Sequence, residues 1–66
     1  MSVEMINLVR LRYALEAELA TIDATLGAAR GFHHQEEAAR SRKAVVQEDL
    51  RDVRQRLREI VPTPAQ

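Results

Sequence analysis

Phe32, Ala39, Val46, Val53 and Ile60 recur at intervals of seven, and Leu50 and Leu57 each follow four residues behind a member of that row. Apolar residues in a seven-residue repeat fall on one stripe of an α-helix, and such a stripe demands a second helix against it. A partner lies upstream. Leu8, Leu11, Leu15, Leu19, Ile22, Leu26 and Ala29 occupy a sector of roughly 80° on a helical wheel. The segment between, GAARGFHHQEE at residues 27–37, holds both glycines of the chain. Two helices of roughly 27 residues, each about 40 Å long, with a short connection predict an all-α antiparallel helical hairpin.

The boundaries follow from local signals. Ser2 is placed to cap the first helix, with Glu4 in its first turn, where negative charge meets the positive end of the helix dipole. Gly27 and Gly31 are candidate terminators. The expected layout is a helix over 3–30, a turn over 31–34 and a helix over 35–61, together one domain spanning 1–61. Pro62 and Pro64 stop the second helix, and 62–66 is expected to be a disordered tail. Folding the helices back on each other sets Leu8 against Leu57, Leu15 against Leu50, Leu19 against Val46 and Leu26 against Ala39. Glu36 and Lys43 make the seam polar nearer the turn. Lys43 is expected either to carry its ammonium past the seam to water or to pair with Glu18.

A second stripe makes the first helix unusual. Ile6, Val9, Tyr13, Ala17, Ala20 and Ala24 centre about 160° from the leucine row at 100° per residue, and Val3 and Met5 lie in the same first three turns. One hairpin partner cannot cover both faces. A chain of 66 residues without cysteine also builds only a small core and has no disulfide to reinforce it. Both points favour association. A homodimer through the first helices, giving a four-helix bundle, is the simplest expectation, with Val3, Ile6, Val9, Tyr13, Ala17, Ala20 and Ala24 as the interface.

Catalysis finds no support in the residues. There is no cysteine, no glycine-rich phosphate loop and no serine set beside a base, so an enzyme is not expected. His33, His34 and Glu37 are the only cluster of ligand types, and His33 and Glu37 share a face. Two or three donors are too few for a structural zinc site, so neither metal nor cofactor is expected, and no small-molecule substrate.

Ten basic residues balance ten acidic ones, which removes overall charge as an argument for nucleic acid or an anionic membrane. Locally, Arg40, Lys43, Arg51, Arg54 and Arg58 project along one sector and form a possible edge for a polyanion or an acidic protein. Intrahelical pairs, Glu48 with Arg51 and Asp52 with Arg56, would instead make it an ordinary solvated face. No apolar run approaches the ~20 residues that span a bilayer, and the start lacks a secretion-signal pattern, so a cytoplasmic location is expected.

In layout the chain resembles small bundle-forming hairpins such as the Rop-type RNA-binding dimers, secretion co-chaperones and small phage-encoded regulators. The likeness is one of architecture and transfers no residue roles. The expected function is a self-associating interaction module that binds another protein as adaptor, chaperone-like partner or inhibitor. The alternatives are a dimeric nucleic-acid-binding regulator using the arginine edge, and a structural subunit of a larger assembly.

Overall fold

A computed structural model describes residues 2–60. Two helices, α1 (Val3–Ala28) and α2 (His33–Ile60), run antiparallel and pack along their length. The body measures 51 × 21 × 16 Å. It is therefore one helix thick, and each helix has a single neighbour.

Ser2 starts α1 as the sequence implies: its hydroxyl oxygen accepts the Met5 N–H at 3.1 Å. At the other end α1 closes two residues earlier than expected, and α2 begins two residues sooner. The Phe32 N–H donates to the Ala29 carbonyl at 2.9 Å, and the Phe32 carbonyl then accepts the Glu36 N–H at 2.9 Å. Gly31 lies within this turn at φ 88, a conformation that costs any residue with a Cβ. Gly27, the other candidate terminator, is absorbed into α1. The proline-containing tail and Val61 lie outside the described residues.

The core is the seam itself. Leu15 and Ile22 of α1 meet Ala39, Val46, Leu50, Val53 and Leu57 of α2, with Met5, Leu8, Val9, Leu19 and Leu26 packed at the margins. Every buried member of α2 belongs to the seven-residue repeat. In α1 the seam also follows a seven-residue repeat: Met5, Arg12, Leu19 and Leu26 hold one position, and Leu8, Leu15, Ile22 and Ala29 the other. Leu11, expected in the seam, is instead 45% exposed. The supercoil that keeps α1 against α2 rotates Leu11 to the flank and brings Arg12 in. Phe32, in phase with the α2 repeat, is 61% exposed. It lies in the turn, where α1 has already ended and offers nothing opposite.

Cross-helix ion pairs mark the two edges of the seam. Glu4 pairs with Arg56 (2.7 Å) and Glu18 with Arg42 (2.7 Å) along one edge, and Asp23 pairs with Lys43 (2.8 Å) along the other. Lys43 thus does carry its ammonium to the surface, but its partner is Asp23. Glu18 takes Arg42 through both its oxygens.

Candidate interaction surfaces

The outer face of α1 is assembled from residues that α2 cannot reach. Val3 is 74% and Tyr13 63% exposed; Ala17, Ala20 and Ala24 are exposed as well. Ile6 and Val9 are half-buried, and Val9 leans inward against the edge of the core. The stripe has its own strict phase, with Val3, Arg10, Ala17 and Ala24 at one position and Ile6, Tyr13, Ala20 and Gly27 at the other. Seven-residue spacing on an outward face is the geometry of a second helix–helix seam. A Cβ built at Gly27 meets nothing within 4 Å. On the flank of the stripe the Thr21 hydroxyl donates to the Ala17 carbonyl at 3.1 Å, a local bond that satisfies it without any partner. The face is therefore uncharged apart from Arg10.

Tyr13 is also held in place. The Arg12 guanidinium carbon stands 5.3 Å from the Tyr13 ring centroid, close enough for a cation–π attraction. Arg12 reaches outward from the seam, and its Nε is buried without a hydrogen-bond partner although Glu16 Oε1 lies 3.4 Å away. Sequence reading missed this residue. The signal was available in the row Met5, Arg12, Leu19, Leu26, where one charge interrupts three apolar residues.

The basic sector of α2 divides into two groups. Arg40 pairs with Glu36, and Lys43 with Asp23. Arg51, Arg54 and Arg58 have no ion pair among the described residues. The intrahelical pairs considered from sequence, Glu48 with Arg51 and Asp52 with Arg56, do not form. Arg56 turns to Glu4 and Glu59 instead, whose hydrogen bonds hold its pKa above the ordinary value, Glu4 the more strongly. The two edges of the hairpin consequently differ: the edge with Arg42 and Arg56 is neutralised across the seam, while the edge with Arg51, Arg54 and Arg58 is not.

Two open surface hollows lie among the described residues. One, at the turn, is lined by Phe32, His33, His34 and Gln35, and the other, on α2, by Ala44, Gln47, Glu48 and Arg51. His33 Nε2 is 3.8 Å from Glu37 Oε2, both side chains being exposed. Among the described residues no three metal-ligating side chains gather, and no helix is long and apolar enough to cross a membrane. Comparison with protein-family models, with curated proteins and with solved structures finds no match.

Proposed function

We infer that the chain is a small non-enzymatic interaction module, a helical hairpin that self-associates through the outer face of α1 and docks another protein as adaptor, chaperone-like partner or inhibitor. One observation carries this reading. α1 has two apolar repeats on opposite sides, and α2 covers only one, leaving Val3 and Tyr13 among the most exposed large apolar side chains. Exposed apolar surface of this kind marks interfaces in small proteins.

The test follows from exposure. Ala17 and Tyr13 lie off the core, so Ala17→Glu with Tyr13→Glu should leave the hairpin helical while abolishing association. Sedimentation equilibrium should show the wild-type chain dimerising with concentration and the double variant at the mass of one chain. An identical mass for both proteins at every concentration refutes the reading. Val9 is unsuited to this test, because it also packs against the core and its replacement would unsettle the hairpin itself.

A second reading, a nucleic-acid-binding regulator, is favoured by the uncompensated row Arg51, Arg54 and Arg58. The edge lacks aromatic side chains, and Gln47, which lines a hollow with Arg51, is a single amide among arginines, so binding would follow chiefly backbone charge and shape. Charge reversal at these three arginines should abolish a salt-sensitive mobility shift with duplex RNA or DNA. Absence of any shift with wild-type protein at low salt excludes it.

A further inference from the structure

We propose that the occupant of the outer α1 face is a second copy of the chain, arranged antiparallel about a twofold axis, with the large residues of one α1 seated on the small residues of the other. This rests on the self-association reading and specifies its geometry. The sizes on the stripe are polarised: Val3, Ile6, Arg10 and Tyr13 occupy the first half of α1, and Ala17, Ala20, Ala24 and Gly27 the second. When two α1 helices are laid antiparallel with their centres aligned, Val3 faces Gly27 of the second copy, Ile6 faces Ala24, Arg10 faces Ala20 and Tyr13 faces Ala17. Each layer sets one large residue against one small one. A single interaxial distance then fits the whole interface, since that distance is set by the side chains in contact.

The parallel alternative fails on both size and charge. It stacks Ile6 on Ile6 and Tyr13 on Tyr13 at one end, and alanine on alanine at the other, so one spacing cannot satisfy both halves. It also sets Arg10 against Arg10, a like-charge contact that costs affinity. In the antiparallel pair these arginines stand ten residues apart, about 15 Å along the axis, beyond the Debye length of about 8 Å at physiological salt. Each Arg10 lies over an alanine that leaves it room to reach solvent. The contact area is small. A strip about 39 Å long and about 10 Å wide gives roughly 800 Å² from both copies together, below the ~1,200 Å² of stable complexes. The dimer is accordingly a weak, reversible one.

The native chain has no cysteine, so introduced thiols report the geometry directly. An Ile6→Cys chain mixed with an Ala24→Cys chain at several hundred micromolar should oxidise to a covalent heterodimer, while each alone remains uncrosslinked, its like thiols lying about 27 Å apart along the axis. A size exchange provides the second arm. Ala24→Ile alone should weaken dimerisation by about a hundredfold, because overpacking occurs twice per dimer, and adding Ile6→Ala in the same chain should recover most of it. Ile6→Cys crosslinking to itself, or a double variant weaker than either single one, overturns the antiparallel register while leaving self-association standing. A wild-type mass of one chain throughout the concentration range defeats both.

Discussion

Single residues carry distinct loads in so thin a molecule, and the two glycines show it. Gly31 sits at φ 88, so Gly31→Ala should lower stability by about 1 kcal/mol. Gly27 is helical, and a Cβ there meets nothing, so Gly27→Ala should raise stability by about 0.5–1 kcal/mol through the restricted unfolded chain. Urea unfolding of dilute protein measures both, and the opposite signs are the point of the comparison. Arg12 is the third such position. Its Nε is buried without a hydrogen bond, Glu16 Oε1 standing 3.4 Å away as its ion-pair partner, at a seam position otherwise filled by Met5, Leu19 and Leu26. The ring contact with Tyr13 and the Glu16 pair return part of that cost, each less than about 1 kcal/mol at a half-exposed site. Arg12→Leu should therefore stabilise the hairpin by about 1 kcal/mol. A fall in stability would show that the Tyr13 and Glu16 contacts outweigh the desolvation of Nε. Polar residues at seam positions fix register at some expense of stability, which gives Arg12 a structural reason to be there.

The two helices differ in how plainly their sequences disclosed them. Every buried residue of α2 stands in the seven-residue row, because α2 has one apolar side and its phase is unambiguous. α1 is apolar on both sides, and a straight 100° wheel grouped Leu11 with the seam leucines. Which of them turns inward depends on the supercoil imposed by α2, a property of the pair that neither helix encodes alone. The same dependence explains the ion pairs. Proximity in register offers Lys43 either Glu18 or open water, but the edge of the seam decides, and Arg42 shares that edge with Glu18 while Lys43 shares the other with Asp23. The outer stripe was legible from spacing, whereas the inward lean of Val9 depends on the angle at which α2 meets α1, which sets Val9 beside Met5 and Leu8 at the edge of the core. The turn moved by about two residues because backbone hydrogen bonds at Ala29 and Phe32, invisible in a pattern of side chains, fix where each helix stops. Since Val46 and Leu50 are the most enclosed side chains, Leu50→Ala should cost about 2–5 kcal/mol. That is enough to abolish the cooperative melt of a single-seam domain. A Leu11→Ala control should cost far less, and equal losses would mean that the flank is packed after all.

At the scale of the whole molecule, the angle between the two faces of α1 decides what an assembly looks like. The inner and outer repeats lie three positions apart on the seven-residue wheel, or roughly 155°. Helices joined through both faces of α1 would form a nearly flat row, α2–α1 followed by α1–α2 of the second copy, as one geometry of a four-helix assembly. The twofold axis of an antiparallel pair stands perpendicular to such a layer, so it returns each edge of the hairpin to the same face. Arg51, Arg54 and Arg58 of both copies then point to one side, while the edges neutralised by Glu4–Arg56 and Glu18–Arg42 line the other. This sidedness makes the polyanion reading quantitative. Each phosphate neutralised on duplex nucleic acid adds about 0.9 to the logarithmic salt slope. Three arginines acting singly predict a slope of about −3, and six on one face about −5. Titrating a duplex of random sequence at several salt concentrations, below and above the dimerisation midpoint, should therefore steepen the slope as the protein pairs. A slope that stays near −3 at all concentrations would separate the arginine edge from dimerisation. No binding at low salt would leave that edge to an acidic protein surface, with carboxylates facing Arg51, Arg54 and Arg58 in place of phosphates.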